Sequence, residues 1–217
     1  MFEIGKVLFG DKRSATNGCA PIWCLSRRIN KDMRKVISLV LLAALTFSAA
    51  LPLGAAGKLP RKAPEFVVQG ADGGDKLLTS YRGKTVLLAL MFTTCPHCQN
   101  ISKLLSKIAP EYAGKGVQIL GATFDGNAPR DYKKFNQAFV SGFPCGFSMQ
   151  PTVLQFLGLA PEEPFFVPAL VFIDKTGVIR SQYIGDEKFL GNPEVNIRAE
   201  LDKIIKLGGG GPLAPAK

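Results

Sequence analysis

Thr85-Val86-Leu87-Leu88-Ala89-Leu90-Met91-Phe92-Thr93-Thr94-Cys95-Pro96-His97-Cys98 is the stretch on which the fold turns. Its first eight residues are apolar nearly throughout. That pattern predicts a strand buried on both faces, as at the centre of a mixed or parallel sheet. The two cysteines come directly after it. Beyond them, Ile101, Leu104, Leu105 and Ile108 follow the spacing of one buried helix face. Pro96 suits the first turn of that helix, where its missing N–H costs nothing. A Cys-x-x-Cys pair where a strand feeds a helix is a dithiol arrangement whose sulfurs can close a short disulfide ring. The helix N-terminus adds partial positive charge, which favours thiolate on the first cysteine.

Working outward, Pro110 should end or kink this helix. Val117 to Phe124 is predicted as a second apolar strand, and Arg130 to Val140 as a helix with Tyr132, Phe135 and Phe139 on one face. Val153 to Leu157 suggests a short helix. Leu170 to Ile173 and Val178 to Ile184 are two strands joined by Asp174-Lys175-Thr176-Gly177, a hairpin turn. Val195 to Leu207 is a last helix. Upstream, Glu65 to Val68 and Lys76 to Leu78 are short strands, and residues 57–64 are a linker rich in Pro and charge. Residues 208–217 form a Gly/Pro tail expected to be disordered. Early strands joined through helices imply parallel pairing, and the late hairpin adds an antiparallel edge. The expected fold class is α/β, with one mixed central sheet and helices on both faces.

The chain has 217 residues, is 47% hydrophobic and 20% charged, and carries a formal charge of +10. This composition excludes a largely disordered protein. The Lys and Arg residues are scattered, with no basic block of the kind that marks nucleic-acid binders, so no nucleic-acid partner is expected. Val36 to Leu53 is the one long apolar stretch. Arg34 and Lys35 precede it and Gly54-Ala55-Ala56 follow, which describes a signal peptide over residues 33–56 with cleavage after Ala56. Residues 1–32 sit awkwardly upstream, and Met33 offers an alternative start. The protein is therefore expected to be exported, in a periplasmic setting, and membrane-bound only if the apolar segment is left uncleaved. Cys95, Cys98 and Cys145 then remain, in a compartment where a dithiol can be held as a disulfide.

Taken together, several segments resemble the thioredoxin superfamily, in particular the exported TlpA/ResA-like branch of the redoxin group. They are Phe92 to Cys98, Val117-Gln118-Ile119-Leu120-Gly121, Val167-Pro168 ahead of a strand, and Phe172 to Gly177. The likeness covers about Glu65 to Leu207 and implies a thioredoxin-like fold with thiol-disulfide exchange. Cys95 would be the nucleophile and Cys98 the resolving thiol. His97 would stabilise the Cys95 thiolate. The resemblance further implies a cis bond at Val167–Pro168, lying against the cysteines, with the Val167 backbone pairing to the substrate chain. With Pro96, these are the candidate substrate-binding residues.

The implied partners are protein thiols or disulfides, plus a redox protein that donates or accepts electrons. No cofactor and no metal is expected, because His97 is the sole histidine and Cys145 the sole further cysteine of the mature chain. Gln99 occupies the place where the c-type haem pattern needs a histidine. Cys-Pro-His-Cys is locally similar to strongly oxidising DsbA-type proteins, whereas the wider likeness points to exported reductases, so the direction of electron flow stays open.

Two departures stand out. Thioredoxins carry a buried acid six residues before the first cysteine, where this chain has Ala89, and the ResA-like acid falls near Ile101. The proton acceptor for Cys98 is thus unassigned. Cys145 is expected to be a buried small hydrophobe. A peroxiredoxin-like peroxidase would need Thr and Pro where Phe92 and Leu88 stand. A copper-delivery module would pair the cysteines with a distant histidine, and a non-catalytic scaffold would have no use for an intact pair.

Overall fold

The computed structural model describes residues 58–208, so the expectations for the extension, the signal segment and the terminal tail lie outside the described residues. Strand β1 is Arg61–Lys62, β2 Val67–Val68, β3 Lys76–Leu77 and β4 Thr85–Met91. Helix α1 is Pro96–Ala113, β5 Val117–Thr123, α2 Ala128–Phe139, β6 Cys145–Phe147 and α3 Gln150–Leu157. Then come β7 Ala169–Ile173, β8 Val178–Ile184, α4 Glu187–Leu190 and α5 Pro193–Lys206.

Six strands form one mixed sheet in the order β1-β8-β7-β4-β5-β6, and β2 and β3 pair separately. β4 runs parallel to β5 and antiparallel to β7, and β5 runs parallel to β6. The apolar run therefore holds the middle of the sheet, and every residue of β4 is buried. Its alternation decides the layers. Leu87, Ala89 and Met91 share a core with Leu105 and Ile108 of α1 and with Ile197 and Leu201 of α5. Val86, Leu88 and Leu90 point the other way, into a core with Phe66, Val153 and Phe156. Helices cover both faces, as the α/β reading requires.

Three local differences from the sequence reading have physical causes. Arg61–Lys62, within the expected linker, adds an antiparallel strand to β8. Two residues are too few to show a period. Cys145–Phe147 forms β6 against β5, although Pro144 precedes it and Gly146 interrupts it. Helix α1 runs through Pro110 to Ala113. Pro110 lies on the exposed side of the helix, away from the buried face of Leu105, Ile108 and Ala109. Among the described residues no helix is long and apolar enough to cross a membrane.

Candidate active site

The site forms where β4 ends. Because β7 is antiparallel to β4, with Leu90 opposite Ala169, the residues just before β7 come to the same end of the sheet as the residues just after β4. That places Val167 and Pro168 beside the Cys95 loop, and the Val167–Pro168 bond is cis. The parallel neighbour β5 brings Phe124 and Asp125 to that end as well.

Cys95 is the N-cap of α1, in extended conformation (φ −81°, ψ 119°). Its sulfur accepts the Cys98 N–H at 3.4 Å, taking the place of a capping oxygen. This puts Sγ where the free amides of the first turn point, and where the dipole favours negative charge. The thiol lies 4.0 Å from the Val167 carbonyl oxygen. Cys95 is half-buried, Cys98 is fully buried, and both are free thiols. Burial pushes the Cys98 thiol well up from its ordinary value; the adjacent Cys95 and the Asp125 carboxylate add to this, and the Phe92 N–H at 3.5 Å opposes it. One sulfur is thus accessible and capped while the other is enclosed and protonated.

Of the sequence-predicted residues, Cys95, Cys98, Val167 and Pro168 come together. Pro96 is exposed at the helix tip. His97 is exposed too, and it lines a groove of about 350 Å³ with Asn100, Leu104, Leu190 and Pro193. Among the described residues no hydrogen bond joins it to Cys95. Cys145 is 1% exposed, against the Gly121 backbone, and its thiol is pushed up to about 12 by burial and by Asp72.

The sequence reading missed several groups. Asp125 accepts the Thr93 N–H at 2.6 Å through Oδ2 and the Thr93 hydroxyl at 3.1 Å through Oδ1. Gln99 Nε2 donates to the Thr93 carbonyl at 3.2 Å. Phe92 packs edge-on against Phe124, with centroids 4.7 Å apart, and against Phe165 at 6.1 Å. Phe166, beside the cis bond, is 71% exposed. An acid directly after an apolar strand was the only signal for Asp125, and it reads equally well as a loop residue.

Residues 59–182 match the model of the AhpC/TSA family. The chain belongs to that family. The thiol-disulfide oxidoreductase ResA of Geobacillus thermodenitrificans is 32% identical over 162 residues, covering 70% of this chain and 86% of the relative. The protein is therefore a ResA-like redoxin and an oxidoreductase. Solved structures carry the same fold. A putative thiol:disulfide interchange protein DsbE from Chlorobium tepidum superposes with a TM-score of 0.56 at 21% identity, over 67% of this chain and 99% of that one. A putative thioredoxin from Neisseria meningitidis also gives 0.56 at 21% identity, over 70% and 95%.

Proposed function

We propose that this protein is an exported thiol-disulfide oxidoreductase that exchanges disulfides with protein substrates through Cys95 and Cys98. One observation carries the reading: the Cys95 sulfur caps α1, accessible and beside the Val167 carbonyl, while its partner sulfur is buried one turn further on. In the reducing direction the Cys95 thiolate attacks a substrate disulfide. A Cys95–substrate bond forms, and the first substrate sulfur leaves as thiolate and takes a proton. Cys98 then gives up its proton and attacks Cys95. The Cys95–Cys98 disulfide forms, the second substrate sulfur leaves and is protonated, and two electrons have passed to the substrate. The oxidising direction is the reverse. The Val167 backbone and Pro168 would align the substrate chain, with Pro96 on its other side.

The test is a pair of variants. Cys95→Ser should abolish reduction of insulin disulfides. Cys98→Ser should allow the first attack and accumulate mixed disulfides through Cys95, visible on non-reducing gels. Turnover by Cys95→Ser, or equal trapping by both variants, would overturn the assignment. The peroxidase alternative is disfavoured locally: Leu88 is enclosed within β4 and Phe92 packs edge-on against Phe124, so neither place carries the Pro or the Thr of that pattern.

Export rests on residues 33–56, whose basic start, apolar middle and small-residue end have the order of a cleaved signal. Mass spectrometry of the native protein should find a mature chain beginning near Gly57. Intact peptides from residues 1–32 in cells would refute the displaced start.

A further inference from the structure

Neither acid position of the wider family carries an acid in this chain. Ala89 of β4 and Ile101 of α1 lie in the same buried apolar cluster as Cys98, with Met91 and Leu170. The titratable groups that act on Cys98 are Cys95, on the same helix, and Asp125, on the loop between β5 and α2. His97, also on α1, is exposed.

Asp125 is held in place by design of the loop. Two successive amides leave β4 in different directions: Phe92 N–H reaches the Cys98 sulfur at 3.5 Å, and Thr93 N–H reaches Asp125 at 2.6 Å. These legs bound the distance from carboxylate to sulfur at about 10 Å, since neighbouring amides lie no farther apart than neighbouring Cα atoms. Every polar group of Thr93 is engaged. Asp125 takes its N–H and its hydroxyl, and Gln99 takes its carbonyl. Thr93 is 8% exposed, so these bonds are largely shielded from water. Asn127 N–H donates to Asp125 Oδ1 at 3.2 Å, and the nearby Arg130 on α2 is paired with Asp131.

We propose that Asp125 is a positioning residue of the redox site, which fixes Thr93 ahead of Cys95 and controls when Cys98 enters the reaction. The proposal rests on the thiol-disulfide reading above. Its negative charge reinforces what burial does: Cys98 stays a thiol while Cys95 is the attacking sulfur. The two cysteines are thereby kept from competing for the substrate. Resolution must then remove the Cys98 proton against burial and, in smaller part, against the field of Asp125, so the pH at which Cys98 becomes reactive should move when that charge is removed.

The experiment uses the full chain with Cys95→Ser, so that Cys98 is the remaining sulfur of the pair. Iodoacetamide labelling of Cys98 is followed against pH by peptide mass spectrometry, which separates it from Cys145. Asp125→Asn should move the labelling midpoint down by about half to one pH unit, the size of one charge acting at this range through partly shielded protein. Asp125→Glu should hold the midpoint near that of the parent. Thr93→Val, which removes one hydrogen bond and keeps the charge, should move it much less than Asp125→Asn. An unmoved midpoint in Asp125→Asn overturns the proposal, and so does an equal shift in Thr93→Val, which would mark the contact as structural only. If Asp125→Asn fails to fold, Asp125→Ser in the same assay decides. Labelling needs no turnover, so this result is independent of whether insulin is reduced, and failure of the two readings can be told apart.

Discussion

Asp174 shows how much one buried side chain can organise. It is 1% exposed and accepts hydrogen bonds from Thr176 N–H, the Thr176 hydroxyl, Val178 N–H and Arg180 Nε, the last at 2.6 Å. Burial alone would push its carboxyl up, but these donors outweigh burial and hold it below the usual carboxylate range. The sign follows for stability. A carboxylate lowered in the folded state contributes stability that is present above its unfolded value, about 3.9, and is lost as pH falls from there toward the depressed folded value. Asp174→Ala should cost about 3 kcal/mol at pH 7, because it takes the buried carboxylate away from Arg180 and from the turn amides. Urea titrations at pH 7 and pH 3 should show the gap between wild type and variant narrowing in acid. A constant gap would mean that the carboxylate's charge is not what the turn uses. Asp174-Lys175-Thr176-Gly177 was legible as a turn because both reasons are local: an Asp that bonds its own following amides, and a Gly at φ 80°. Asp125 was not, because its partner Thr93 lies 32 residues away in the chain.

At the scale of elements, β5 and β6 approach closely where Gly121 sits opposite Cys145. A Cβ on Gly121 would lie 2.7 Å from the Cys145 sulfur and 3.1 Å from Phe143. Gly121→Ala should therefore destabilise by about 1–3 kcal/mol, the usual range for overpacking. Cys145→Ala on the same chain should recover part of that loss and leave the Phe143 clash, giving a coupling of about 0.5 kcal/mol or more in a double-mutant cycle read by urea unfolding. Strict additivity would show that the sheet shifts to absorb the methyl. The same pair explains what could be read from sequence. β4, β5 and β7 announce themselves through five to seven residues of nearly continuous apolar character, and β8 through the hairpin turn before it and the apolar pairs at its ends. β6 has three residues and a central glycine, so its strand character comes from the β5 edge it meets. α1 was legible in its start, because Pro96 and the capping cysteine are local signals, but not in its length, because tolerance of Pro110 depends on which side faces water.

At the scale of the molecule, the geometry of the candidate site was legible because the strand end, the helix cap and both sulfurs are contiguous in sequence, and the cis-proline segment reaches them through one β4–β7 pairing. What closes the opposite edge of the sheet was not legible. Arg61 Nη2 donates to the Phe156 carbonyl of α3 at 2.6 Å and to Gln182 Oε1 of β8 at 3.3 Å. Ala63 N–H donates to the Gly177 carbonyl at 2.9 Å, tying the segment to the β7–β8 turn. These contacts fasten α3 and the hairpin together across separations of 95 and 121 residues. A chain beginning at Glu65 would lose β1, these bonds and the buried Ala63 side chain. Two or three net hydrogen bonds at about 1 kcal/mol each correspond to a fall in Tm of roughly 5–10 °C for a domain of this size. Two strands, β8 and β7, stand between β1 and β4, the strand that leads into the cysteine loop. Insulin reduction per folded molecule should therefore stay close to that of a chain beginning at Gly57. Differential scanning calorimetry and the activity assay on the two chains check both halves. An unchanged Tm would show β1 to be a passive edge, and lost activity at full folding would show that the edge and the redox site are mechanically linked.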